Sequence, residues 1–261
     1  MKALFNATIY RAEKTTGIRA ALILTCFAGI VYYVLAWLLS KGELDASSAG
    51  SVTAMGDAMI IWLFGSLSVG MLIGNDFENK TVHGAMGYGR KNIVANYFLV
   101  FSVIIFLMLL TYTIGSLACI FSGNDMKGAE GAVISNYLGN VLVYGKETSV
   151  AKLILSYVAA FFVYVGQLSI CIPVAIRIKK PVVVTAFGFI FGMLTALIST
   201  LASKVKMLDN IYRLTPYDCG MDKIGICADV SDMLVAIIVS VVFTALMGLV
   251  SYIIFRKSDI K

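Results

Sequence analysis

Six long apolar runs, at about 20–39, 52–74, 93–121, 152–176, 181–202 and 233–255, set the pattern of the chain, with short polar connections between them. A hydrocarbon core about 30 Å thick is crossed by about 20 apolar residues in helical form, and each run meets that length. The runs are continuous rather than alternating, which favours helices over a barrel, because backbone groups in lipid must be satisfied within their own segment. The expected fold is all-α and polytopic, with six transmembrane helices in a single transmembrane domain spanning 1–261. Ahead of the first run, Leu4, Phe5, Ile9 and Ala12 recur at helical spacing with Thr8 the one polar residue on their face. That spacing predicts an N-terminal interfacial helix on the inner leaflet. Val133, Ile134, Tyr137, Leu138, Val141 and Leu142 predict a second interfacial helix on the outer side. The first run exceeds the about 7–15 residues of a secretory signal core, so it reads as an uncleaved span.

Composition agrees with this reading: 59% of residues are hydrophobic and 14% charged, against roughly 45–50% and 25% in soluble domains. Charge then orients the chain. The N-terminal tail, Asn75 to Asn92, Arg177 to Lys180 and the C-terminal tail hold thirteen Lys and Arg against four acids, while the alternate loops hold eight against ten. Basic residues resist translocation, so both termini are expected in the cytoplasm. The formal charge of +6 is explained by basic helix ends beside anionic membrane lipid, so no nucleic-acid partner is expected.

Polar and special residues within the apolar runs are few. Cys26, Cys119 and Cys171 read as small hydrophobes. Cys219 and Cys227 fall together in the last outer loop, as a disulfide or as two free thiols. Pro173 predicts a kink near the inner end of the fourth span, and Pro181 opens the fifth. Gly188 and Gly192 form a G-x-x-x-G pair, a close-packing face used either within the bundle or between subunits. Asp57 is the one acid inside a run, reaching the outer interface or serving a membrane-embedded role. Asn96 and Gln167 are the other polar residues there, and Gln167 reads as glue between helices. No H-E-x-x-H, G-x-S-x-G or Walker-type sequence occurs. With His83 the only histidine, the expectation is no catalytic residue, no metal site and no directly bound cofactor.

The polar stretch Asn75 to Asn92 carries the most information. Asn75 with Glu78 three residues later is a capping-box variant, and Asp76 favours a helix N-terminus, so a short helix is expected to start there. Phe77, Val82 and Met86 can cluster along it, Glu78, Lys80 and His83 are available to a polar partner, and Gly87-Tyr88-Gly89 ends it before Arg90 and Lys91. Asp76-Phe77-Glu78-Asn79-Lys80-Thr81-Val82 is similar to the acidic-x-x-Asn-Gly-Thr-Ile entry of one family's cytoplasmic hairpin. Gly87-Tyr88-Gly89-Arg90-Lys91-Asn92-Ile93 is similar to its Gly-x-Ser-Arg-x-x-Ile exit, with Lys80 standing for Gly and Gly89 for Ser. Phe255-Arg256-Lys257-Ser258-Asp259-Ile260-Lys261 also looks like that family's C-terminal ending. The chain thus resembles the permease subunits of ABC type-2 exporters, the small bacterial kind that export drugs or peptide antibiotics.

The resemblance implies a coupling helix between spans two and three, with Asp76, Phe77, Glu78, Lys80, Thr81, Val82, His83, Met86 and Arg90 engaging a separate ATPase that binds ATP and Mg. It implies a second permease subunit, identical or homologous, with the first and fifth spans and hence Gly188 and Gly192 at the dimer interface. It also implies residence in a bacterial plasma membrane and outward transport; the few charges in the spans suit an amphipathic or apolar cargo, such as a peptide or antibiotic. A self-powered carrier or channel, and a non-transporting immunity or sensor protein, are the alternative readings.

Overall fold

The computed structural model describes residues 2–43, 56–79, 81–122, 141, 148–202, 204, 206–218 and 221–257. Among these every regular element is a helix. The periodic face ahead of the first run folds as α1 (Lys2–Lys14), which buries Leu4, Thr8 and Ala12 at i, i+4 spacing. Thr15, in an extended conformation at φ −71°, ψ 113°, turns the chain into α2 (Thr16–Ser40). The second run forms α3 (Asp57–Glu78), whose Gly70–Gly74 segment widens into a π-helical turn. Pro181 presses on that turn: a Cβ at Gly70 would lie 2.6 Å from the Pro181 carbonyl oxygen, and one at Gly74 2.8 Å from its ring. Only glycine admits a backbone that close.

Beyond α3 lie α4 (Thr81–Ala85) and a single 3-10 turn, Met86–Tyr88. Gly89, at φ 85°, reverses the chain into α5 (Arg90–Ser122). The fourth run is α6 (Val150–Leu168) followed by α7 (Cys171–Ile178). The break falls at Ser169 and Ile170 because Pro173 has no N–H for the carbonyl four residues earlier. Lys179 closes α7 in the left-handed conformation at φ 60°, and Pro181 starts α8 (Pro181–Ala202) as expected of proline at a first helical position. Then come α9 (Lys206–Tyr212), a 3-10 turn at Pro216–Asp218, α10 (Met221–Ile224) and α11 (Val230–Lys257).

Five of these helical segments are long and apolar enough to cross a membrane: Thr16–Ser40, Asp57–Glu78, Arg90–Ile114, Val150–Ile178 and Val230–Lys257. The sixth predicted run is also helical, as α8, but its described apolar part, Pro181–Thr195, is shorter than the other five. Large apolar side chains such as Ile23, Phe27, Ile190, Ile238, Leu246 and Ile253 face outward, a surface suited to lipid rather than water.

α8 runs antiparallel along α3, from Gly74 at one end to Trp62 toward the other. A Cβ at Gly188 would sit 2.4 Å from the Ser66 Cβ, and one at Gly192 2.5 Å from the Trp62 ring. The G-x-x-x-G pair therefore has a packing partner within the chain: α3 fills the groove the glycines create. Gln167 does act as glue, with its Oε1 accepting from Trp62 Nε1 at 2.9 Å and its Nε2 donating to the Pro216 carbonyl at 3.1 Å. Asp57 is fully buried at the start of α3 and accepts from the Tyr164 hydroxyl, so it does not lie open at an interface. Cys227 is exposed. Cys219, and with it the Cys219–Cys227 pairing, lies outside the described residues, as does the predicted helix over Val133–Leu142 except for Val141.

The capping-box reading of Asn75 is also corrected. Asn75 has helical angles, φ −63° and ψ −34°, whereas an N-cap residue is extended. The preceding run contains no proline, and its Gly70–Gly74 turn stays helical, so the helix propagates through Asn75 to Glu78, and the acids sit at its end.

Candidate functional site

Four segments of the chain meet at one end of the bundle: α1, the hairpin after α3, the turn after α7 and the end of α11. Phe77 on the hairpin meets two of the others, with the Phe255 ring of α11 edge-on at 5.9 Å and the Lys179 ammonium of the turn 5.1 Å from its centroid. Arg90 lies over Phe255 at 6.0 Å and donates from Nη1 to the Arg256 carbonyl at 2.5 Å. These are the same four segments that the charge count groups on one side of the membrane.

Asp76 anchors the hairpin to this end. It is buried, 8% exposed, and a buried carboxylate is tolerated when paired and hydrogen-bonded. Its Oδ1 accepts from Arg11 Nη1 at 2.5 Å and from the Thr81 hydroxyl at 2.9 Å, and its Oδ2 accepts from the Tyr97 hydroxyl at 3.0 Å. Arg11 Nη1 also donates to Thr81 Oγ1 at 3.0 Å, so the Thr81 hydroxyl receives from the cation and gives to the anion. Arg11 Nη2 reaches Thr8 Oγ1 at 3.3 Å. Thr8 in turn accepts from Asn96 Nδ2 at 2.8 Å and donates to the Leu4 carbonyl at 2.9 Å. One polar network thus ties α1, the end of α3, α4 and the start of α5. A cleft of about 240 Å³ beside Thr8, Arg11, Asn75 and Thr81 leaves Arg11 partly solvated.

Of the hairpin residues singled out in the sequence, Asp76 and Val82 are buried, while Phe77, Met86 and Arg90 are half-buried. Glu78, Thr81 and His83 are exposed, as are Gly84, Gly87 and Tyr88, and Lys80 lies outside the described residues. Asp76, Phe77 and Arg90 thus hold the hairpin from within, and Glu78, His83 and Tyr88 form its outward tip. Sequence reasoning missed Arg11, Tyr97 and the Thr8–Asn96 pair as parts of this site. Thr8 on an apolar face and Asn96 early in an apolar run were the available signals, since each needed a polar partner.

No family model, curated protein or solved structure matches the chain. Fold and site together define its class: an all-helical, multi-pass membrane protein with a polar hairpin anchored at one end of the bundle.

Proposed function

We propose that the chain is the permease subunit of an ATP-driven ABC exporter, with α4 and its flanks as the coupling element for a separate ATPase. The observation carrying this reading is the division of labour in the hairpin. Asp76, Phe77 and Arg90 tie it to four segments of the bundle, while Glu78, His83 and Tyr88 face outward. A tip held this firmly transmits a push to the spans instead of absorbing it, and states that differ in that push differ in free energy.

In this reading α8 completes six spans, both termini lie in the cytoplasm, and the membrane is the bacterial plasma membrane. ATP and Mg belong to the ATPase, and the permease catalyses no reaction itself. A second permease subunit, identical or homologous, meets the first and fifth spans through outward residues such as Ile23, Phe27 and Ile190. The cargo is amphipathic or apolar, a peptide or antibiotic among the candidates, because the spans offer few charges to a polar solute. The test is co-purification in mild detergent. Wild type retains an ATP-binding-cassette ATPase, and Glu78→Ala with His83→Ala loses it while the chain stays folded. Equal retention by the variant refutes docking at this tip.

A further inference from the structure

A groove of about 920 Å³ runs between α5, α6 and α11, within the about 300–1,000 Å³ of small-molecule sites. Lys91 and Tyr252 stand at one end, Ser102 and Val241 at the other, and Phe162 and Val165 on the wall between. Lys91 to Ser102 is about 16 Å of helix, close to half of a hydrocarbon core about 30 Å thick. The groove is thus one leaflet deep.

Its chemistry is graded along that length. Ser102 donates to the Phe98 carbonyl at 2.9 Å and Thr244 to the Ser240 carbonyl at 2.8 Å, so both hydroxyl protons are already engaged by the helix backbone. The inner walls offer hydrocarbon and no polar anchor. At the hairpin end, Lys91 is exposed and makes no ion pair among the described residues, whereas its neighbour Arg90 is turned to the Arg256 carbonyl. A cation at the rim of a one-leaflet apolar slot complements an anionic headgroup carrying an acyl chain.

We infer that this groove binds an anionic phospholipid of the leaflet at the hairpin end, with one acyl chain along α5 and α11 and the phosphate at Lys91. The site depends on the function proposed above only for naming that leaflet cytoplasmic.

The test uses the full chain reconstituted alone in vesicles containing phosphatidylglycerol or phosphatidylcholine with a photoactivatable acyl chain, and labelled peptides are mapped by mass. Phosphatidylglycerol labels segments 94–102, 161–165 and 241–249 about fivefold more than phosphatidylcholine, the effect of roughly one lysine at a membrane surface. Lys91→Gln brings the two probes to parity. A Cβ at Gly248 meets nothing within 4 Å, so Gly248→Leu fills the slot without displacing protein. It lowers labelling of these segments severalfold and leaves the outward face of α2 labelled as before. Equal labelling by the two probes in wild type, a preference that survives Lys91→Gln, or labelling unaffected by Gly248→Leu each overturns the site. Loss of ATPase retention by the hairpin variants leaves it standing, and failure here leaves hairpin docking standing.

Discussion

Replacing Thr81 by Val removes one hydroxyl and almost no volume, and so isolates the polar bolt between the hairpin and the bundle. That hydroxyl donates to Asp76 Oδ1 at 2.9 Å and accepts from Arg11 Nη1 at 3.0 Å. Hydrogen bonds to charged groups contribute about 1.5–3 kcal/mol net. Thr81 is exposed, which puts its share at the lower end, about 1.5 kcal/mol. Because about 1.4 kcal/mol is a factor of ten in an equilibrium, α4 should open locally about tenfold more often. Val and Thr have similar helix propensity, so the effect is not one of backbone preference. Hydrogen–deuterium exchange of a peptide covering residues 78–89, read by mass in mild detergent, measures that opening. Thr81→Val exchanges about tenfold faster there, while Thr81→Ser, which keeps the hydroxyl, stays within about twofold of wild type. Unchanged exchange in Thr81→Val would mean that the network does not hold the hairpin, and the lever argument would lose its fulcrum.

Gly188→Leu should destabilise the single chain by about 1–3 kcal/mol or more through overpacking against Ser66, lowering its melting temperature in detergent without changing its oligomeric state. A dissociated but equally stable chain would instead return Gly188 to a subunit interface. Gln167→Leu leaves the Trp62 Nε1–H and the Pro216 carbonyl without that partner, at about 1–3 kcal/mol for each buried group. Its melting temperature should fall, and adding Trp62→Phe should recover part of the loss.

Each apolar run that the pattern marks as a membrane span is helical over its described residues, the fourth as two helices, because length and continuity of hydrophobicity are one-dimensional properties. Partnership is not. Arg11 and Asp76 are 65 residues apart, and each alone looks like an ordinary charge beside a span. At Asn75 the reason is local: cap-type chemistry is present, but the helix behind it passes through its π-turn unbroken, with no proline to stop it. The glycine pair was recognised as a packing face, yet periodicity does not say which neighbour fills a groove, and the answer, Trp62 and Ser66 on α3, depends on the antiparallel course of α8. Gln167 was read correctly because an amide in an apolar run has few options besides another buried polar group.

The proposed grip of an ATPase on the hairpin tip is open to a direct physical probe. Cross-linking tests it most directly, with single cysteines at Glu78, His83 and Tyr88 in a background whose five native cysteines are replaced by serine or alanine, and cysteines at the buried apolar positions Ile73 and Val82 as controls. Adducts with an ATP-binding-cassette ATPase, identified by peptide mass, are expected from the three tip positions and none from the two buried ones. Tip cysteines that react with small thiol reagents but never join an ATPase would contradict it.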